Sequence, residues 1–399
     1  MNTPIEGQGS GATLETAPHD EPRYHWCGRA RRSVCGESFF RSLQSSTSKF
    51  SVIIRRGPLG DGTSDDMKQS SNPGTILVTG ATGFVGSHLV DQLLEQGRSV
   101  RCLVRKSSNL RYVKDPQIEL TYGGLDDSTD WGEAMTDVDQ VYHVAGTTFA
   151  RRAQDYFTVN HQGTEALVAE ALKRRDQIKR FVYISSLAAV GPALDGKPVD
   201  EDTKPAPITP YGRSKLMGEE AVRVVSDLLP VTIVRPPAVY GPRDYGIFEF
   251  FKAVKGGMFP MIGRRDKRVS LVHVRDLVDG ILLAGENEIA VGRTYFISSE
   301  DDYSMHAVAD LMAALMRRRL RTITIPRTVA YGVALLAEAG AGLMGKPPVI
   351  NRDKVTDLSQ PGWTCSIGRA RSELGYMPRV ALEEGLRETI VWYKDEGWL

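Results

Sequence analysis

Behind the short apolar run Thr75-Ile76-Leu77-Val78 the chain continues Thr79-Gly80-Ala81-Thr82-Gly83-Phe84-Val85-Gly86. A β-branched run that breaks into glycines at three-residue spacing and then resumes with Leu89, Val90, Leu93 and Leu94 at helical spacing reads as strand, tight turn and amphipathic helix. Few other patterns restrict a fold as much. The glycines permit the turn, let backbone approach a pyrophosphate and seat the helix against the strand. The first N–H groups of the helix then face the phosphates. Glycines also simply punctuate turns; their position between a strand and a helix is what favours a dinucleotide site at Gly80, Gly83, Phe84, Val85 and Gly86.

Gly97 stops that helix ahead of a second strand at 100–104, completing a βαβ unit. Further strands are expected at 140–144, 181–185 and 231–235, separated by helical patterns at 159–172 and 211–228. This alternation predicts an α/β fold, a Rossmann-type doubly wound parallel sheet covered on both faces. Past Pro242 it loosens into strand-like runs at 269–274 and 294–297 and helical patterns at 305–316, 328–343 and 382–393. We therefore expect a dinucleotide-binding domain at 73–241 and a smaller, mostly helical substrate-binding subdomain at 242–399. Either late strand is a candidate to return to the first domain. Residues 1–72 lack sustained periodicity and are expected to be a disordered or non-native N-terminal extension, with Met67 a natural start just ahead of the first strand.

Composition narrows the partners. Across 399 residues the net charge is +1, so no overall field recruits nucleic acid or an anionic membrane, and a small-molecule substrate is the better expectation. Cys27, Cys35, Cys102 and Cys365 lack the paired spacing of a disulfide framework or zinc site, so no metal is expected. No run has the apolar length of a membrane span, and the polar, acidic start has no signal-peptide pattern. These features fit a cytoplasmic protein.

Two further groups carry chemistry. In Tyr211-Gly212-Arg213-Ser214-Lys215 the phenol and the ammonium lie one helical turn apart, where a cation is expected to lower the Tyr pKa and make an acid/base of it. Taken alone, such a pair is commonly a capped helix start with an exposed lysine. Ser185 and Ser186 end the strand 181–185, at the carboxyl edge where open α/β sheets place ligands.

Together, the glycine turn, Tyr183-Ile184-Ser185-Ser186 and Tyr211-Gly212-Arg213-Ser214-Lys215 resemble the extended short-chain dehydrogenase/reductase superfamily, with its epimerase/dehydratase and 3β-hydroxysteroid dehydrogenase-like branches. Supporting matches are His143-Val144-Ala145-Gly146, Val159-Asn160-His161-Gln162-Gly163-Thr164, Arg235-Pro236-Pro237-Ala238-Val239-Tyr240-Gly241-Pro242 and Val272-His273-Val274-Arg275-Asp276-Leu277, in family order. The resemblance implies that Tyr211 is the acid/base, that Lys215 binds the nicotinamide ribose and tunes Tyr211, and that Ser186 steadies the substrate oxygen. It places Val144, Ala145, Gly146, Asn160 and Pro237 along the cofactor, and implies a homodimer through the helices at 159–172 and 211–228.

Relatives have an Asp where this chain has Gly124, which removes one adenine contact and leaves backbone of Gly124 and Leu125 to line the pocket. An acid at the end of the second strand would repel a 2′-phosphate. The chain has Val104 followed by Arg105 and Lys106, so NADP(H) is expected ahead of NAD(H), unless Arg105 only stacks on adenine or faces water. The expected activity is hydride transfer between nicotinamide and an alcohol or ketone, with a sterol-like or other apolar carbonyl compound as substrate. A nucleotide-sugar epimerase, using Arg268 for a diphosphate, and a non-catalytic dinucleotide sensor or scaffold are the alternatives.

Overall fold

The computed structural model describes residues 74–126, 129–150, 152–263, 266–344 and 351–399. The extension expected over 1–72 lies outside the described residues. In chain order the first part runs β1 (Thr75–Thr79), α1 (Phe84–Glu95), β2 (Val100–Val104), β3 (Ile118–Tyr122), α2 (Trp131–Ala134), β4 (Val138–His143), α3 (Ala153–Phe157), a π-turn (Thr158–Gln162), α4 (Gly163–Lys173), β5 (Arg180–Ile184), α5 (Pro210–Arg223) and β6 (Val231–Arg235). Then follow β7 (Ala238–Tyr240), α6 (Phe248–Lys255), β8 (Met258–Ile262), β9 (Arg268–His273), α7 (Val274–Glu286), β10 (Thr294–Phe296), β11 (Asp302–Ser304) and α8 (Met305–Leu315). The chain closes with β12 (Arg321–Ile325), α9 (Arg327–Met344), α10 (Arg352–Leu358), β13 (Gly362–Trp363), α11 (Gly368–Leu374) and α12 (Leu382–Asp395).

The main sheet is parallel throughout, in the order β3-β2-β1-β4-β5-β6-β10. Side chains alternate across a strand, and β1 sends Ile76 and Val78 to one face and Leu77 to the other. Ile76 and Val78 join Leu89, Val90 and Leu93 of α1 and Leu277 and Ile281 of α7. Leu77 joins Leu167, Val168 and Ala171 of α4 and Val222 of α5. With both faces covered, β1 carries three consecutive apolar residues, Ile76, Leu77 and Val78, between its terminal threonines. The strand order reverses between β1 and β4, which opens a crevice at their carboxyl ends.

Of the two late strand-like runs, Thr294–Phe296 extends the main sheet beside β6. Residues 268–273 do not; β9 instead pairs with β7, β11 and β13 in a separate sheet. A third, two-stranded pairing joins β8 to β12. The helix expected at 159–172 is interrupted: the π-turn 158–162 separates α3 from α4 and buries Asn160. The helix expected to reach 228 ends at Arg223 and continues as hydrogen-bonded turns. Thr209 caps its start by accepting from the Gly212 N–H at 3.2 Å, with Pro210 in the first turn. Among the described residues, no helix is long and apolar enough to cross a membrane.

Candidate active site

The turn after β1 is built around two close approaches. Gly80 has φ +72°, and a Cβ there would lie 2.6 Å from the Ala145 nitrogen, beyond β4. A Cβ on Gly86 would lie 2.2 Å from the Gly80 carbonyl oxygen, so only glycine lets α1 sit this close to the turn. Gly83 is the N-cap and supplies no side-chain acceptor. The first-turn N–H groups are thus left for an anion, and Phe84 and Val85 pack half-buried against the β1 core. A glycine-lined turn, an uncapped helix N-terminus and a crevice at the reversal of strand order fit a dinucleotide pyrophosphate.

The segment Val144-Ala145-Gly146 forms the facing wall. Val144 donates from its N–H to the Thr79 carbonyl at 3.2 Å, and Ala145 to Thr79 Oγ1 at 3.3 Å. Below it, buried His143 bonds Thr79 Oγ1 at 2.7 Å through Nδ1 and Thr164 Oγ1 at 2.9 Å through Nε2. Thr164 gives its own proton to the Asn160 carbonyl, so it accepts from Nε2–H and Nδ1 is the acceptor for Thr79. Burial pushes His143 down to about 3, keeping this bridge neutral.

Asn160, held by the π-turn, accepts from the Thr147 N–H at 2.7 Å and donates to the Thr147 carbonyl and to Ser214 Oγ, each at 3.0 Å. It therefore ties the loop after β4 to α5. A Cβ on Gly146 would come within 3.1 Å of Asn160 Oδ1 and 3.4 Å of Lys215 Nζ, which puts Gly146, Asn160 and Lys215 together.

Lys215 is buried; Nζ donates to the Ile184 carbonyl at 2.6 Å and lies 4.6 Å from the Tyr183 ring centroid. Burial lowers its pKa to about 7, against a smaller opposing pull from Glu219. The Tyr211 phenol lies near the Ser186 hydroxyl, whose Oγ accepts from the Ala188 N–H at 3.1 Å. The expected lowering of the Tyr211 pKa is not found. Burial pushes it up to about 12, with the nearby Ser186 hydroxyl a partial counterweight. The Lys215 ammonium meanwhile turns to the Ile184 carbonyl. Tyr156 meets Tyr211 edge-on, ring centroids 5.8 Å apart.

Ser185 faces elsewhere: its hydroxyl donates to Glu219 Oε1 at 2.5 Å. Burial alone would raise the Glu219 pKa, but Arg235, Arg223 and Ser185 hold it below its usual value. This Glu219–Arg235 pair lies one turn beyond Lys215 and was not singled out from sequence, although positions 211, 215 and 219 share a helix face.

The outer cofactor candidates are spread along the sheet edge. Arg105 and Lys106 are exposed past the end of β2. The Gly124 carbonyl accepts from Thr129 Oγ1 at 2.5 Å, and the Leu125 side chain packs on Gly163 at the start of α4. Pro237 is buried after β6, where the preceding Pro236 carbonyl accepts from the Leu187 N–H at 2.8 Å and braces the Ser186 turn. Among the described residues no cluster of His, Cys, Asp and Glu is arranged to hold a metal ion.

A doubly wound sheet, a glycine turn at the switch point, a serine past an adjoining strand end and a tyrosine and lysine on the helix beside it fit a dinucleotide-dependent enzyme class. Residues 76–298 match the model of the NAD dependent epimerase/dehydratase family, and the chain belongs to that family. Ceramide reductase of Caulobacter vibrioides is 30% identical over 336 residues, spanning 82% of this chain and 96% of that protein. Sterol demethylase protein B of Methylococcus capsulatus is 30% identical over 343 residues, spanning 82% of this chain and 100% of its own. Among solved structures, MoeE5 in complex with UDP-glucuronic acid and NAD shares the fold, with a TM-score of 0.66, 24% identity and coverage of 81% of this chain and 100% of that one.

Proposed function

We propose that this protein transfers hydride between a nicotinamide dinucleotide and an apolar ketone or alcohol, with Tyr211 exchanging the proton. The placement of the Tyr211 phenol near the Ser186 hydroxyl, beside buried Lys215, carries the reading, since it leaves one phenol and one hydroxyl to converge on a substrate oxygen. When bound, the dinucleotide supplies the hydride. Gly80, Gly83 and Gly86 admit its pyrophosphate, and Lys215, with Asn160 and Gly146 beside it, holds the ribose. A phenol that keeps its proton at neutral pH suits reduction, in which Tyr211 protonates the forming alkoxide while Ser186 orients the carbonyl oxygen. The C. vibrioides and M. capsulatus relatives are named for ceramide and sterol chemistry, which supports an apolar substrate.

Arg105 and Lys106 support NADP(H) over NAD(H), since nothing acidic ends β2 to repel a 2′-phosphate. Arg105→Ala is expected to weaken NADPH about tenfold or more while leaving NADH within about twofold; an unchanged ratio contradicts this assignment. The epimerase alternative relied on Arg268 for a diphosphate. That guanidinium is held by Asp302 through Nε and Nη2, each at 2.7 Å, and this weighs against it. The scaffold alternative is disfavoured by the presence of Ser186, Tyr211 and Lys215 together. A homodimer through α4 and α5 is part of the reading, with Val224 and Leu228 exposed just past α5, and sedimentation of the purified protein as a monomer would remove it.

The test of the activity is a panel of sterol, long-chain acyl and flavonoid ketones, with UDP-sugars as the contrast, followed by nicotinamide absorbance with both cofactors. Consumption of reduced cofactor with an apolar ketone is expected. Turnover of UDP-sugars alone would overturn the reading.

A further inference from the structure

Helix α10 brings to the site a carboxylate that the serine, tyrosine and lysine do not use. Asp357 lies near its end, and the residue is fixed by Trp363, whose Nε1 donates to the Asp357 carbonyl at 2.9 Å. Its Oδ1 is buried and has no hydrogen-bond partner. The carboxylate lies close enough to the phenols of Tyr156 and Tyr211 to make both harder to ionise. Apolar and charged groups surround it. On one side α10 packs Val355 against Ile262, Ala330 and Ala334. On the other, Lys354 reaches over Phe149, with Nζ 5.7 Å from the ring centroid. Burial raises Asp357 to about 7, with Lys354 lowering it and Asp353 raising it further.

A buried carboxyl oxygen without a partner is costly, and the cost is relieved when a ligand brings a donor to it. Position decides which ligand. Lys354, one turn before Asp357, reaches Phe149, which follows Thr148, whose carbonyl accepts from the Tyr156 phenol; Tyr156 in turn lies edge-on to Tyr211. Tyr211 marks where the substrate oxygen sits, so a donor that reaches Asp357 along this wall belongs to the same molecule. Resting on the hydride-transfer reading, we infer that the substrate is an apolar ketone or secondary alcohol carrying an N–H or O–H donor beside the reacting carbon, and that Asp357 accepts this donor and selects for it. Ketones without such a donor leave Oδ1 unsatisfied and bind less well.

The test uses a matched pair of long-chain ketones, one with an acylamino group on the carbon next to the carbonyl and the other its ester twin, in which oxygen replaces N–H. Binding is measured by calorimetry on the full-length Tyr211→Phe protein saturated with dinucleotide, so that no turnover intervenes. At about pH 8.5, where the Asp357 carboxyl is ionised, the amide is expected to bind about 10–100-fold more tightly than the ester, the range for a hydrogen bond to a charged group. Adding Asp357→Ala brings the ratio to about one, and adding Asp357→Asn, which keeps an acceptor oxygen, leaves it in between. Unaltered dinucleotide affinity in each variant reports an intact fold. Equal binding of the twins by the parent, or an amide preference that survives Asp357→Ala, overturns the inference. Turnover by the wild-type protein is scored separately: failure to reduce either twin with either cofactor, despite tight and selective binding, overturns the hydride-transfer reading and leaves the Asp357 contact standing.

Discussion

At the scale of single residues, the site is a set of polar groups whose ionisation is governed by burial more than by one another. Tyr211 keeps its proton and Lys215 is brought to about 7, although their spacing alone suggests an ion-stabilised phenolate. His143 is the simplest member of the set. Folded, it resists protonation down to about 3, while in the unfolded chain it takes up a proton near 6.5. Its contribution to stability is therefore complete above pH 6.5 and is lost progressively as the pH falls toward 3. Relative to a His143→Gln variant, the wild type should lose about 2 kcal/mol of unfolding free energy between pH 7 and pH 5. Urea titrations at the two pH values measure this, and a gap that does not change with pH contradicts it.

At the scale of elements, α5 does two jobs. Its first turns carry Tyr211 and Lys215, and its next turn anchors it to β6 through Glu219, which receives Arg235 at 2.9 and 2.7 Å through Nε and Nη2. Neither charge reaches solvent, and Glu219 is held besides by Arg223 at 2.6 Å and Ser185 at 2.5 Å. Arg235→Leu should cost about 3 kcal/mol because it leaves the buried carboxylate with only Arg223 and Ser185, and Arg235→Leu with Glu219→Leu should recover most of that loss. Chemical denaturation of the two variants and the wild type decides it; a double variant less stable than Arg235→Leu would show that the pair contributes net stability. The π-turn is the other element that shapes the site. It offsets α3 from α4 and turns Asn160 inward, where the side chain fixes the loop after β4.

At the scale of the whole molecule, what could be read in the sequence was what adjacent residues dictate. The turn at Gly80 and the buried strands β2 and β6 follow from short-range pattern and the alternation of strand and helix, whereas the grouping of Ser186 with Tyr211 and Lys215 was implied by the family resemblance. β3 went unrecognised because it is an edge strand with Glu119 and Tyr122 exposed, so it lacks the continuous apolar run of its neighbours. The pairing of β8 with β12 joins segments some sixty positions apart, and no local signal foretells it. Asp357 is invisible for the same reason: its position on the Tyr156 and Tyr211 side depends on how α10 packs, with Arg352 pairing Glu338 of α9 at 2.9 Å. Nor does helical spacing reveal that the Lys215 ammonium turns toward the Ile184 carbonyl.

The central claim is that Tyr211 moves the proton while the glycine turn and Lys215 hold the dinucleotide. Comparing Tyr211→Phe with the wild type, for kcat on a ketone the wild type reduces and for dinucleotide Kd, tests it most directly. The expected result is a fall in kcat of about 10²–10⁴-fold with dinucleotide affinity within about twofold of wild type. Turnover close to that of the wild type would contradict the role given to Tyr211, and a loss of activity matched by a loss of dinucleotide binding would show that the phenol holds the cofactor rather than moving the proton.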